Sequence, residues 1–551
     1  MIIFKSKKKI FISLLLSAII FIAIGASNSD TYRSIAKSQR ILNEVYKDLI
    51  VNYADELNTD VFTKTSINKM LSDLDPYTVY LESDERDGLD MLTNGKYGGV
   101  GIQLGKRDDY LTVISPMDDS PAQRAGILSG DIIIKIDGKE TKKFNLSEAA
   151  NLIRGNKGTN VVLTITRLGE DESIDFHLTR ADIKVHDVSF AEMIYDDTGY
   201  IVLSRFSKNA SKEMESALRT LLNQDMKNLI LDLRNNPGGL LSSAIDILEL
   251  IIPKGEKLLF TKGRTRESNR EFISRKIPIL DEKVKLAVLI NEGSASASEI
   301  VAGVIQDLDR GIIIGKRSFG KGLVQSVIGI DKKRSLKITT AKYYIPSGRL
   351  IQKPGYLNED VIVSQTETDT LFSTKTGRTV KGGGGIYPDY VINDKKMGPL
   401  TRECWRKSYF FSFARDHKNQ FNTMDNVLNE PGLMDSFSEF LSDKELNVKL
   451  EGQVQFEEVK EKFQKYGDSN GKLKEAFKSI EDFIQNQSDS FYETEFNNLQ
   501  NGVYSSFAIM LEGNKGRIRY NVQNDDVIDK AIELLHDHMA YSETFQTIIE
   551  N

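Results

Sequence analysis

Lys321 stands in "GKRSFGKGLVQ", Gly315 to Gln325, where three chemistries could claim its amine. Counted from Gly315, it nearly completes the G-x-x-x-x-G-K of a phosphate-binding loop. Counted from Ser318, it forms S-x-x-K, and a K-T-G follows at Lys375 to Gly377, in the manner of penicillin-binding enzymes. The third chemistry makes Lys321 the proton acceptor for a serine elsewhere. A phosphate loop needs Ser or Thr after its lysine to hold magnesium, and a helix beyond; Gly322 follows here, and "GLVQSVIGI" has the β-branched and aliphatic make-up of a strand. S-x-x-K chemistry needs its two residues one helical turn apart and an S-x-N before the K-T-G. Glycines break "SFGKG", and no S-x-N lies between Lys321 and Lys375.

The third chemistry requires a serine, and "NEGSASASE" offers Ser294, Ser296 and Ser298 among small residues that let a substrate backbone approach. Ser294 suits a helix N-cap and Ser298 should point into the first turn, which leaves Ser296 as the candidate nucleophile. Plain helix capping would also account for all three. A serine needs a base. The five histidines, His177, His186, His417, His536 and His538, stand in no context suggesting a triad, although folding assembles triads from distant residues. A lysine can act as base only when neutral, in surroundings dry enough to disfavour the ammonium. On a strand, Lys321, Leu323 and Gln325 would share a face, giving the lysine an apolar neighbour and an amide to orient it. An ordinary surface lysine is the competing reading.

Two similar segments must position these residues. "NLILDLRNNPGGLLSSAIDILELI" reads as a buried strand from Leu229 to Leu233, a Pro-Gly-Gly turn, and a helix with Leu240, Ala244, Ile247, Leu248 and Ile251 on one side. "VKLAVLINEGSASASEIVAGVIQDL" repeats the plan, with a strand from Val284 to Ile290, a turn from Asn291 to Ser294, and an apolar helix face of Ile300, Val301, Val304, Ile305 and Leu308. Both turns open at the carboxyl ends of strands, where α/β folds collect their sites, and helix starts offer unpaired N–H groups to developing negative charge.

Upstream, "KYGGVGIQLG" runs from a glycine turn into a strand; "LTVISPMDDSPAQRAGILSGDIIIKIDGKE" and "LSEAANLIRGNKGTNVVLTITR" add strands and two short helices, Ser120-Pro121-Ala122 opening the first and Gly126 stopping it. Residues 89–182 resemble a PDZ domain. The likeness implies that an extended peptide adds to a sheet edge while backbone N–H groups of Gly99, Val100, Gly101 and Ile102 take its terminal carboxylate, with Val100, Ile102 and Leu104 near the peptide. Before it, residues 27–88 read as a helical module with Ile41, Val45 and Leu49 at four-residue spacing, closed by the proline turn of "LDPYTVYL".

Taken in order from Leu74 to Asp389, "LDPYTVYL", the PDZ-like segment, "DLRNNPGG", "NEGSASASEI", "SFGKGLVQ", "YYIPSGRLIQ" and "GGGGIYPD" resemble the carboxyl-terminal processing peptidases, the tail-specific serine proteases of peptidase family S41. The resemblance implies a multidomain α/β chain with a crotonase/ClpP-like α/β protease core over 183–394. It implies Ser296 as nucleophile, Lys321 as general base, Gln325 orienting the lysine, and the N–H groups of Gly239 and Ala297 as oxyanion donors. The expected partners are proteins or peptides with free C-termini. A non-catalytic envelope scaffold that captures protein tails is the alternative from another functional class.

Composition is consistent with an ordinary globular chain of several domains: 551 residues, 40% hydrophobic, formal net charge -6. That charge offers no basic footprint for nucleic acid. A single cysteine, Cys404, excludes an internal disulfide, and no Cys/His cluster has metal-ligand spacing; no cofactor or metal is expected. Lys5, Lys7, Lys8 and Lys9 precede an apolar run from Ile10 to Ile24 and then Gly25, Ala26 and Ser27, which reads as a signal peptide or membrane anchor over 1–26. The rest of the chain is expected to be exported, either periplasmic or held at the outer face of the inner membrane. The family likeness is expected to stop near Asp394. Residues 395–551 read as a mainly helical extension with solvated charged faces, its role open among dimerisation or other oligomerisation, docking, a lid and a substrate-handling arm.

Overall fold

The computed structural model describes residues 32–82, 95–107, 109–356, 371–393, 397–444, 446, 448–463 and 471–546. The signal or anchor expected over 1–26 lies outside them. Among the described residues no helix is long and apolar enough to cross a membrane. The described residues fall into two compact units, a small one over 32–80 and a large one. The small unit has a helix over 32–52 and a second, Thr59–Ser72, tied by a Tyr46–Thr63 hydroxyl contact of 2.7 Å and by the Tyr46 and Phe62 rings.

The large unit has an antiparallel sheet of β1 (Ile102–Arg107), β2 (Tyr110–Pro116), β3 (Ile132–Ile136), β4 (Asn160–Thr166) and β5 (Ile174–Thr179), paired in that order, with alternating burial clearest on β4 and β2 buried from Leu111 to Ser115. Helices α1 (Pro121–Arg124) and α2 (Leu146–Ile153) accompany it. Ser120 caps α1 by accepting the Gln123 N–H, and Gly126 beyond it has φ +84°, a left-handed turn that glycine adopts without a Cβ clash. Asn145 and Glu148 cap α2 reciprocally. β1 is an edge strand, so one side of its backbone is open for an added strand. Val100 is fully buried in this domain's core, while Ile102 and Leu104 are only partly buried. The expectation that the Val100 side chain faces a bound peptide is therefore corrected: the left-handed turn at Gly101 (φ +76°) separates it from the β1 face.

The second sheet of this unit is built from β6 (Val188–Tyr195), β7 (Thr198–Leu203), β8 (Asn228–Asp232), β10 (Lys285–Ile290), β11 (Ile312–Gly315) and β14 (Tyr390–Val391) in that order. The β6–β7 pair is antiparallel and every later pair parallel. β8 and β10 are almost continuously buried, as strands covered on both faces must be. One cover is α3 (Ala210–Leu222), α4 (Leu241–Leu248) and α5 (Ala297–Asp307), through Leu218, Ile247 and Val301 among others. Beside this stack, β13 (Ser335–Tyr344) pairs with β9 (Lys257–Gly263) and with β12 (Leu323–Gly329).

The other cover comes from the C-terminal segment. Val527, Ile528, Ala531, Leu534 and Leu535 of α8 (Asp526–His536) pack on Tyr200, Ile230, Ala287, Leu289, Ile312 and Ile314, completing three layers. Its preceding helices, α6 (Tyr409–His417) and α7 (Phe496–Val522), gather around Phe410, Phe413, Phe437, Val503 and Phe507, in a cluster that also takes in Ile114 of β2. Lys418 donates to the Ser129 carbonyl (2.8 Å), Arg107 lies over the Phe411 ring, and Arg519 of α7 pairs with Glu192 of β6 (2.8 Å). Solvated faces, expected throughout this segment, are found on Gln453–Phe463, which buries no residue; α8 instead buries an apolar face against the sheet. The segment thus touches both the PDZ-like sheet and the second sheet.

Candidate active site

Two loops leave the carboxyl ends of adjacent parallel strands, residues 233–240 between β8 and α4 and residues 291–296 between β10 and α5. Paired asparagines join them: Asn235 N donates to Asn291 Oδ1 (2.8 Å) and Asn291 Nδ2 to Asn235 Oδ1 (3.0 Å). Asn236, buried, donates to the Leu203 carbonyl and accepts the Gly238 N–H, shaping the turn before the glycines. Its own carbonyl accepts the Ala295 N–H (3.0 Å) and the Ser298 hydroxyl (2.9 Å). The Ser294 hydroxyl donates to the Leu233 carbonyl (2.8 Å). Ser294 and Ser298 are fully buried and committed to backbone; Ser296 alone of the three is partly exposed. The cap position expected for Ser294 falls on Ser296, because α5 starts at Ala297 and Ser294 belongs to the preceding turn.

Ser296 has φ 56° and ψ -110°, outside the regions a residue with a Cβ prefers, at a cost of roughly 1–3 kcal/mol. Gly238 (φ +94°) packs directly against it: a Cβ there would lie 2.9 Å from Ser296 Cβ and 2.8 Å from the Ala297 nitrogen. Next to it, Gly239 is exposed and bridges Phe206 in parallel register. The flanking bonds are Phe206 N to the Gly238 carbonyl and Leu240 N to the Phe206 carbonyl, so the Gly239 N–H is turned away from that pairing. Ala297, as the first residue of α5, has no preceding turn to take its N–H.

Lys321 lies in the loop between β11 and β12 and is partly buried. The Tyr343 hydroxyl, from β13, donates to the Lys321 carbonyl at 2.6 Å and lies 3.2 Å from the Ser296 carbonyl, so the two backbones meet on one side chain. Gln352 Oε1 accepts the Gly322 N–H, Lys353 N donates to the Gly320 carbonyl, and Gly383 to Gly385 bond to residues 350–352. The "YYIPSGRLIQ" and "GGGG" stretches are therefore scaffolding for the lysine loop. Arg349 anchors them through a wholly buried pair with Asp307 of α5 (2.8 Å).

Glu299, in the first turn of α5 and fully buried, accepts from four donors. Oε2 takes the N–H groups of Ser296 (2.8 Å) and Lys321 (2.8 Å); Oε1 takes the Gly320 N–H (2.6 Å) and the Ser318 hydroxyl (2.5 Å). Burial pushes its pKa up, against the hydrogen bonds from Ser318, Lys321, Gly320 and Ser296, which stabilise the charge. With two donors on each oxygen the carboxylate is the form the geometry accommodates.

Ser318, the rival nucleophile, is buried: its hydroxyl donates to Glu299 and accepts the Ile386 N–H (2.6 Å), and no helix joins it to Lys321. The K-T-G sits apart, with Lys375 paired to Glu256. The expectation that Lys321, Leu323 and Gln325 share a strand face is corrected. Lys321 lies in the loop before β12, which begins at Leu323; on β12 Gln325 Nε2 faces Thr339 Oγ1 of β13 at 3.4 Å, where a bulge puts an extra residue, Thr340, on β13. The histidine partners lie elsewhere, with His186 beside Glu213, His417 on the Phe413 carbonyl and His536 beside Asp197. In the expected peptide loop, Gly99 pairs with Ala181, and the Val100 and Gly101 carbonyls accept the N–H groups of Ala122 and Met117. A Cβ on Gly101 would lie 2.3 Å from Ser120 Cβ.

Glu299, Tyr343, Asn236 and the Asn235–Asn291 pair are not assignable from sequence. The "NN" and the "SE" are visible there, but nothing local shows that a helix-capping glutamate also reaches a loop more than twenty residues on.

Three family models match along the chain: peptidase family S41 over 197–363, a PDZ domain over 112–167, and the C-terminal helical domain of probable PDZ-proteases over 400–535. The last corrects the expectation that the likeness ends near Asp394. The carboxy-terminal-processing protease of Bartonella bacilliformis is 37% identical over 343 residues, 62% of this chain and 77% of that protein. The carboxyl-terminal-processing protease of Synechocystis sp. is 36% identical over 375 residues, 64% and 86%. A probable CtpA-like serine protease of Staphylococcus aureus is 32% identical over 378 residues, 68% and 74%. With a PDZ domain, a three-layer α/β core and a helical C-terminal domain matched in turn, the chain belongs to the carboxyl-terminal processing serine proteases of peptidase family S41.

Proposed function

We propose that Ser296 and Lys321 are a catalytic dyad and that the enzyme cuts exported proteins it captures by their C-terminal tails. The observation that carries this reading is the Tyr343 hydroxyl contacting the carbonyls of Ser296 and Lys321 together. Ser296 Oγ attacks the scissile carbonyl carbon as its proton passes to the neutral Lys321 amine. The N–H groups of Gly239 and Ala297 hold the oxyanion, a contribution of about 3 kcal/mol per donor in serine proteases. The Lys321 ammonium protonates the leaving amine, the C–N bond breaks, and water then releases the acyl group with Lys321 again accepting the proton. Gln325, half-buried two residues beyond Leu323 on β12, is the residue proposed to steady the lysine. The mixed sheet with helices on both faces supports a crotonase/ClpP-like core. The basic and apolar N-terminus supports export, with the protease periplasmic or anchored at the outer face of the inner membrane.

The open edge of β1 and the left-handed Gly101 support tail capture: backbone N–H groups of residues 99–102 bind the free carboxylate, and Ile102 and Leu104 favour apolar tails. The test compares one substrate with a free and an amidated C-terminus. Wild type is expected to cleave the free form faster at low substrate concentration, and Ser296→Ala and Lys321→Ala to cleave neither. Equal rates on the two substrates would overturn tail reading, and cleavage by Ser296→Ala would overturn the dyad.

A further inference from the structure

The Ser296 and Lys321 loops come from different strands and are separated by 24 intervening residues of chain, so something must hold them in register. Few groups could. Helix α5 fixes only the residues after Ser296, and Lys321 lies before β12, outside any ladder. Two side chains reach both: the Tyr343 hydroxyl at their carbonyls, and the Glu299 carboxylate at their N–H groups. One oxygen, Oε2, accepts the N–H of Ser296 and the N–H of Lys321, each at 2.8 Å. A single oxygen atom thereby sets the spacing of the two backbones. The other oxygen takes Gly320 N and Ser318 Oγ, so the rest of the lysine loop is pinned at the same point.

Two features show that this clasp does more than fill space. A buried carboxylate is costly unless its lone pairs are satisfied, and here all four acceptor directions are used on the two loops in question. The residue it grips, Ser296, holds a positive φ that would relax if its N–H were released.

We propose that Glu299 is a positioning residue for catalysis: by clasping the N–H groups of Ser296 and Lys321 it holds nucleophile and base at reacting distance. This deepens, and rests on, the Ser296/Lys321 reading above. The Glu299 carboxylate acts through the two backbones, at their N–H groups. A glutamine keeps the shape but sets an NH2 against either the Ser296 and Lys321 N–H groups or the Gly320 N–H, so at least one of the bonds that join the two loops is lost. Aspartate keeps the charge and loses one methylene of reach.

The experiment measures kcat and KM for a tail peptide, tail affinity of a fluorescent non-cleaved peptide, and thermal melting, for wild type, Glu299→Gln, Glu299→Asp, Ser318→Ala and Ser296→Ala. Glu299→Gln is expected to lower kcat by about 100-fold with KM and tail affinity within about twofold, as loss of reacting geometry without loss of binding predicts. Glu299→Asp should recover part of kcat. Ser318→Ala, which removes one of the four donors and leaves both N–H bonds on Oε2, should lower kcat less than Glu299→Gln does. A cooperatively melting Glu299→Gln with kcat within about threefold of wild type overturns the proposal. If Glu299→Gln does not melt cooperatively, Glu299→Asp decides by the same criterion: reduced kcat at unchanged tail affinity supports the clasp, and wild-type kcat overturns it. Ser296→Ala separates the two readings. If it cleaves, the dyad fails whatever Glu299 does; if it is inert while Glu299→Gln is near normal, only the clasp fails.

Discussion

A methyl group on Gly238 would meet Ser296 Cβ at 2.9 Å, the Ala297 nitrogen at 2.8 Å and the Ala295 carbonyl at 2.6 Å. Backbone cannot yield there as a surface side chain would, because Asn236 ties the same turn to Leu203, Ala295 and Ser298. Gly238→Ala is therefore expected to push the two loops apart and lower kcat by about 100-fold, the scale on which a misplacement of 1 Å acts. Steady-state kinetics with a tail peptide measures it. Tail affinity, governed elsewhere, should stay within about twofold. A Gly238→Ala enzyme with wild-type kcat would contradict the packing account of this turn. The same scale explains why three serines in one heptapeptide are not equivalent: Ser294 and Ser298 have spent their hydroxyls on the Leu233 and Asn236 carbonyls.

At the scale of elements, the helix Pro399–Arg406 places Cys404 wholly inside the C-terminal helical cluster, where burial pushes its thiol up to about 12. No thiolate is present near neutral pH, so an aromatic disulfide reagent should leave the native protein unmodified and label it only as this cluster opens in urea. Fast stoichiometric labelling of the native protein would contradict that core. The same physics governs which elements can be read from the chain. The strands at Asn228–Asp232 and Lys285–Ile290 lie within one residue of their expected bounds, because an unbroken apolar run before a glycine turn has few other readings. Ser296 and Lys321 can be picked out because the residue types demand each other. The relation of Gln325 to Lys321 cannot be read, since nothing local shows that the strand begins only at Leu323 and leaves the lysine in a loop. Nor can Glu299, whose partners come from another loop. The face of α8 is amphipathic in sequence, but only the sheet it covers tells a buried face from a solvated one.

Across the whole of the large unit, the C-terminal helical domain reaches from the PDZ domain, through Ile114, Arg107 and the Ser129 carbonyl, to the catalytic sheet, through α8 and the Arg519–Glu192 pair. Tail capture and peptide cleavage are thus assigned to domains that a third domain joins. On the proposed dyad, cleavage by this assembly passes through one bond: an ester between the substrate acyl group and Ser296 Oγ. The direct measurement is acid quenching of the intact enzyme during turnover of a tail-bearing substrate, followed by mass mapping of the acyl adduct. The account predicts an adduct on Ser296, absent in Lys321→Ala. An adduct on Ser318, or an equal yield of Ser296 adduct without Lys321, would contradict it.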